Sequence, residues 1–262
     1  MAATLHIQAV RAVIDVVDDA IATARFGAKT FRSLLGHWYG REIILAMYAI
    51  GIRSLPVVIA VAAFIGMTTC IQGAMAFNDL GSQSLVGFFC SLSLLRELGP
   101  IVAASMVGAK AGSQMAAQLG TMRVKQQIDA LEVMAVDPLR FHVAPRLIAA
   151  ILMVPLMVVV ADAAAMSAAY LVAVHQLHLD GGQFIAQAFL FTGPADVYKG
   201  MLKGALFGAT ISIVCSYHGF AASGGPEGVG RATNRAVVRA AVICVFFNLA
   251  LSEILYGGVS MH

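Results

Sequence analysis

Arg96 and Glu97 stand side by side in a stretch, residues 85–109, that is otherwise apolar, and Asp162, Lys203 and Glu253 interrupt three further apolar stretches. A lone charge at the centre of a membrane-spanning helix costs about 2.5–3.5 kcal/mol on insertion scales, so such residues need partners or water. Neighbours in a helix point about 100° apart, and Arg96 and Glu97 therefore cannot fully satisfy each other. Counting in from the ends of the runs puts Lys203 and Glu253 in the same half as the pair, with Asp162 nearer the middle. Arg96, Glu97, Lys203 and Glu253 are thus the expected intramembrane cluster. Three chemistries are open to it: an ion-pair network holding helices in register, a contact for a charged lipid headgroup, or a proton relay.

Other chemistry is harder to find. Cys70, Cys90, Cys215 and Cys244 lie singly in apolar runs, which reads as buried small hydrophobes rather than zinc ligands or a disulfide framework. The seven histidines show no ligand spacing, so no metal site is expected, and no nucleophile–base pair emerges. The run GGPEGVG, residues 224–230, is glycine-rich but lacks the lysine and hydroxyl of a phosphate-gripping loop, and reads as a flexible turn. The chain is not expected to bind nucleotide itself.

The elements that must position these residues follow from composition. Of 262 residues, 60% are apolar and 12% charged, against about 25% charged in soluble domains. That balance excludes a disordered tail and most soluble enzymes, and a net charge of +3 is too small for a nucleic-acid reader. Residues 55–77 carry no charge and would span about 35 Å as a helix, enough for a hydrocarbon core of about 30 Å. Residues 85–109, 147–174, 197–219 and 237–258 are the other candidate spans. The expected fold is all-α, a polytopic membrane protein with five transmembrane helices, in which residues 43–262 form the membrane domain.

Lys and Arg accumulate before the first span, between the second and third, and between the fourth and fifth, while residues 78–84 and 175–196 contain none. Short cytoplasmic loops collect such charges, so the amino terminus is expected in the cytoplasm and the carboxyl terminus outside it. The acidic residues Asp15, Asp18 and Asp19 argue against a cleaved leader. Residues 1–42 read differently: Ile7, Val10, Ile14, Val17 and Ile21 form one apolar face of an amphipathic helix, which lies on the membrane or packs on a partner. Phe31, Leu34, Leu35 and Trp38 with Lys29, Arg32 and Arg41 suggest an interfacial elbow, and residues 43–52 are too short an apolar run to cross.

The connector between the second and third spans is unusually structured. Val124, Ile128, Leu131, Met134 and Ala135 form an apolar stripe among Arg123, Lys125, Gln126, Asp129 and Glu132, a short helix with Thr121 as its cap and Asp137-Pro138 as its stop. Such a helix suits a groove on a soluble partner, or lies along the membrane surface.

Residues 91–150 resemble the signature region of the MlaE/YrbE permease family, the membrane subunits of lipid-transporting ABC systems that work with MCE-domain proteins. The likeness rests on RELGP at 96–100, the AGSQMAAQLGTMR run at 111–123 and QIDALEVMAVDP at 127–138, in that order. It extends more loosely from about residue 41 to 256. The resemblance implies that residues 123–137 are the coupling helix that receives an ATPase stroke, with Arg123, Lys125, Gln127, Ile128, Asp129, Leu131, Glu132, Met134 and Asp137 as its contacts.

It also implies two permease subunits, a second copy or a paralogue, together with a cytoplasmic ATPase that holds ATP and Mg, and an extracytoplasmic MCE partner. The substrate would be phospholipid or a related lipid, and the location a bacterial inner membrane. The lipid path would run along the first span and the start of RELGP, past Thr69, Gln72, Ala76, Phe77 and Leu98, with Gly66 and Gly73 allowing close helix approach. Where the family can carry an acidic residue in its fifth span, this chain has Asn248. A gradient-driven carrier using the charge cluster is the rival expectation, and a scaffold without transport is another.

Overall fold

In lipid every backbone polar group must find its partner within the protein, and a helix does so within a single segment. The computed structural model describes residues 2–33, 39–78, 82, 85–190 and 192–257, leaving aside the side chains of 2–17 and 78, and among these all regular structure is helical. Helix α1 covers Ala2–Ser33. Helix α2, Gly40–Met47, runs through a π turn at Tyr48–Ile52 towards α3, Leu55–Asn78. Helix α4 is a continuous Val86–Val124, loosened by π turns at Leu94–Leu98 and Gly108–Gly112. The short α5 is Gln127–Val133, followed by α6, Leu139–His175, then α7, Gly181–Leu190, α8, Pro194–Phe220, and α9, Gly225–Tyr256.

Five stretches among the described residues are long and apolar enough to cross a membrane: Gly40–Phe77, α4, α6, α8 and α9. In four of the five the helix runs on beyond the expected span. The run 43–52 is continuous with the first span, the second continues past residue 109 to Val124, and the third and fifth begin at Leu139 and Gly225. The reason is physical: a charge marks where the hydrocarbon ends, not where the helix ends. Lys110, read as a loop residue, sits in a π turn and donates from Nζ to the Arg53 carbonyl.

The glycine run at 224–230 is also not a loose turn. Gly224 and Gly225 take left-handed φ of 84° and 73°, which a side chain would resist, and Pro226 then sits in the first turn of α9. Helix α7 occupies part of the segment 175–196 that was expected to be loop, and packs against the start of α4.

Helix α6 is the centre of the bundle, packed along α3 on one side and α8 on the other. Glycines set both crossings. A Cβ at Gly66 would overlap the Ala165 backbone, and one at Gly208 would overlap the Ala150 carbonyl, so close backbone approach replaces side-chain interdigitation. Gly73 admits the Phe89 ring in the same way. All four cysteines are buried.

Helix α1 runs on through Phe31 and Arg32, where an elbow was expected. Leu34, Leu35 and Trp38 lie outside the described residues, as do the side chains of Ile7, Val10, Arg11, Ile14, Asp15 and Val17. Its described half packs on α8, with Phe26 against the rings of Tyr217 and Phe220 at 5.8 and 5.6 Å.

Candidate functional site

The cluster is built where α4 changes winding. Pro100 has no N–H, so the carbonyl of Arg96, four residues earlier, cannot receive its usual helical bond. A π turn at Leu94–Leu98 precedes the proline and carries Arg96 and Glu97 on its widened face. Lys203 of α8 then reaches across, with Nζ 2.7 Å from the Arg96 carbonyl oxygen and 3.2 Å from Glu97 Oε1. The same ammonium donates to Ser252 Oγ at 2.7 Å. Asn248 Oδ1 lies 3.5 Å away as a fourth acceptor, so all three donors are engaged.

Helix α9 completes the arrangement. Asn248 Nδ2 donates to Glu97 Oε2 at 2.6 Å, and Ser252 Oγ lies 2.6 Å from Glu97 Oε1. Asn248, Ser252 and Tyr256 recur at intervals of four, so they share one face of the helix. The Tyr256 ring receives three cations: Lys199 at 4.5 Å, Arg96 at 4.8 Å and Lys203 at 5.3 Å from its centroid. Lys199 Nζ also donates to the Leu255 carbonyl at 3.0 Å.

Arg96 pairs with a residue the sequence reading missed. Its Nε lies 2.9 Å from Asp196 Oδ1, while Asp196 Oδ2 accepts from the Gly193 N–H at 3.1 Å and so caps the start of α8. The exposures within the cluster are unequal: the Lys203 side chain is 0% exposed and that of Glu97 is 41% exposed. The cation is sealed inside the bundle and the carboxylate opens to its edge.

Glu253, expected in the cluster, is not in it. It is exposed, and Ser252 stands in its place because the next residue along a helix turns about 100° away. Asp162 is buried against Gly99, where a Cβ would overlap its Oδ1, and neither of its oxygens has a hydrogen-bond partner. It neighbours the cluster without joining it. Asp196, Ser252 and Tyr256 were legible in principle, since Asp196, Lys199 and Lys203 repeat at three and four on one face, as do the α9 residues.

The expected lipid-path residues divide. Gln72 and Ala76 are exposed and Leu98 half-buried. Thr69 is buried with its hydroxyl on the Ile65 carbonyl, and Phe77 packs on Phe89 at 5.9 Å.

The connector helix is shorter than expected. Thr121 belongs to the last turns of α4 and donates to Ala117, and the chain then turns at Gln126, φ 58°. Arg123 pairs with Asp129 across that turn. Of the apolar stripe, Ile128 is fully buried and Leu131 half-buried, whereas Met134 and the unpredicted Val133 are exposed, Val133 by 88%. Lys125, Gln127 and Glu132 are exposed. Asp137 does not stop α5; its Oδ1 accepts from the Leu139 N–H at 2.9 Å and starts α6. Ala135, φ 57°, makes the turn between them.

Five long apolar helices around a buried polar cluster define a polytopic integral membrane protein. The family model described as Permease MlaE matches residues 43–254, and the chain belongs to the MlaE permease family. It is 31% identical over 248 residues to the intermembrane phospholipid transport system permease protein MlaE of Haemophilus influenzae, covering 92% of this chain and 95% of that protein. A Rickettsia conorii protein named as a probable ABC transporter permease protein is 36% identical over 214 residues, 82% of this chain and 83% of the other. The chloroplastic protein TRIGALACTOSYLDIACYLGLYCEROL 1 of Arabidopsis thaliana is 31% identical over 232 residues, 88% of this chain and 66% of its own length.

Proposed function

We propose that this permease is the membrane subunit of an ABC transporter that moves phospholipid or a related lipid, driven by a separate cytoplasmic ATPase. The observation that carries the reading is the exposed apolar tip of α5, Val133 and Met134, held on a braced turn between two spans. An exposed valine and methionine at the end of a short charged helix suit a hydrophobic groove on a soluble subunit. Arg123, Lys125, Gln127, Asp129 and Glu132 then form the polar rim, Ile128 and Leu131 anchor the helix to its own bundle, and Asp137 fixes its exit.

The basic residues Arg41, Arg53, Lys110, Arg123, Arg140 and Arg146 gather near the α5 end, which supports placing that end and the amino terminus in the cytoplasm. The carboxyl terminus then lies outside a bacterial inner membrane, beside an MCE-domain partner. A second permease copy or paralogue is supported by α9, in which only Gly228, Ala236, Ala240 and Cys244 are buried by the rest of the chain. The lipid would pass the exposed Gln72 and Ala76, with Thr69, Phe77 and Leu98 further along the route. Few polar groups line this route, as an acyl chain requires. ATP and Mg would be held by the partner.

The test is co-purification of native protein and Val133→Arg in mild detergent, with bound proteins and lipids identified by mass spectrometry. Native chain should carry an ATPase and phospholipid, and Val133→Arg should lose the ATPase while keeping the lipid and its thermal stability. An unaltered ATPase complement in the variant removes α5 as the coupling element, and a native protein that transports lipid without ATP overturns the whole reading.

A further inference from the structure

Away from the Lys203 cluster, at the opposite end of the bundle, α2, α4 and the start of α6 enclose a cavity of about 280 Å³. Gln118 on its wall is 22 positions along α4 from Arg96, about 30 Å at the helical rise. Its wall includes Arg53, His142 and Arg146, faced by one carboxylate, Glu42. Arg146 donates from Nη2 to Gln118 Oε1 at 3.1 Å, but its Nη1 is sealed from solvent with no hydrogen-bond partner. Among the described residues neither Arg53 nor Arg146 forms an ion pair with a carboxylate. Arg53 instead lies over the Tyr48 ring at 5.6 Å. Two guanidinium groups border the cavity with one acid, the exposed Arg53 has open donors there, and a guanidinium fork suits phosphate oxygens.

The cavity does not close on the lipid side. Leu45 and Tyr48 belong to its wall and also to an exposed apolar strip that continues through Ile44 and Ile52. From residue 44 to 52 that strip is about 12 Å long. A basic pocket between membrane helices that opens onto an apolar strip has the two chemistries of an anionic amphiphile side by side. The volume sits near the lower bound of about 300 Å³ for small-molecule pockets, room for a phosphate and its glycerol but not for a tail. The tail must therefore lie outside, along the strip.

We infer that this cavity binds the phosphate headgroup of an anionic phospholipid from the adjoining leaflet, with Arg53 as its donor, the Arg146 charge beside it, and an acyl chain along Ile44, Tyr48 and Ile52. This is a second lipid site, independent of whether the protein transports anything. On the orientation proposed above the leaflet is the cytoplasmic one.

The experiment is native mass spectrometry of the full-length protein, delipidated and then titrated with phosphatidylglycerol or with phosphatidylcholine of the same chains. Native protein should retain phosphatidylglycerol about 5-fold better or more, and Arg53→Gln should weaken phosphatidylglycerol retention itself by about 5- to 10-fold, as expected from one lost charge-assisted bond. Arg146→Gln should do the same. Because Arg146 is largely enclosed and its variant could misfold, Leu45→Arg on the exposed strip provides a second check and should weaken retention of the tail. Equal retention of the two lipids by native protein, or unchanged phosphatidylglycerol retention in Arg53→Gln, overturns the site. Retention of inorganic phosphate with no preference for phosphatidylglycerol over phosphatidylcholine assigns the pocket to free phosphate and overturns the lipid.

Discussion

Lys203 Nζ lies 2.7 Å from the carbonyl oxygen of Arg96, four residues before Pro100. A side chain from another helix thus takes the carbonyl that the proline leaves without its helical donor, and the same ammonium neutralises Glu97. One residue satisfies both a backbone defect and a charge.

Replacing Lys203 with Met should therefore remove two interactions together. Breaking a buried pair costs about 3–5 kcal/mol; the half-open Glu97 carboxylate can recover part of its loss from water, so about 2–4 kcal/mol is expected here. Pro100→Ala returns a backbone N–H to position 100, and the double variant should recover part of that loss. Thermal unfolding of the four proteins in detergent gives the coupling directly, and simple additivity of the two substitutions would show that Lys203 does not serve the proline defect.

Asn248→Ala should behave differently. It removes one donor from Glu97 Oε2, but the Glu97 side chain is 41% exposed, and water can replace the amide. The expected stability cost is about 1 kcal/mol, with lipid transport affected more than folding. A stability loss matching that of Lys203→Met would mean that the carboxylate is sealed in the assembled protein.

Gly99 and Asp162 form a steric pair. A methyl at Gly99 meets the Asp162 carboxylate and crowds the Leu94 carbonyl at 3.0 Å, so Gly99→Ala should destabilise by about 1–3 kcal/mol. Asp162→Ala removes the first obstacle and leaves the second, and the double variant should regain more than half of the loss. Melting temperatures that are strictly additive would separate the two residues.

The spans and the polar residues within them were legible because their signal is local: long apolar runs, and charges too costly to leave unpartnered. Which residues pair was not, because a rotation of 100° between neighbours decides between Ser252 and Glu253, and nothing in an unaligned run fixes that rotation. Where the helices end was not legible for a related reason. Arg140, Lys110 and Arg231 interrupt hydrophobicity without interrupting helix, so runs of apolar residues understate α4, α6 and α9. In α5 the stripe was read correctly as apolar, but only the tertiary arrangement separates Ile128, turned inward, from Val133 and Met134, turned out.

The last relationship ties the amino-terminal helix to the bundle. Asp19 of α1 pairs with Arg239 of α9, and His218 at the end of α8 lies 3.6 Å from the same carboxylate. The side chains of Asp19 and Arg239 are 24% and 35% exposed, so the pair is worth about 1 kcal/mol or less and should contribute little to global stability. Its effect is local, since α1 otherwise meets the bundle through contacts such as Phe26 and Gly27 on α8 and through the start of α6. Asp19→Asn should leave the melting temperature within about 2–4 °C of native, the shift that 1 kcal/mol produces in a chain of about this size. Amide exchange across residues 18–33 should nevertheless rise several-fold, because a helix held by few contacts opens without the bundle opening. Unchanged exchange in this segment would show that the contacts of α1 with α6 and α8 hold it in place without the Asp19 pair.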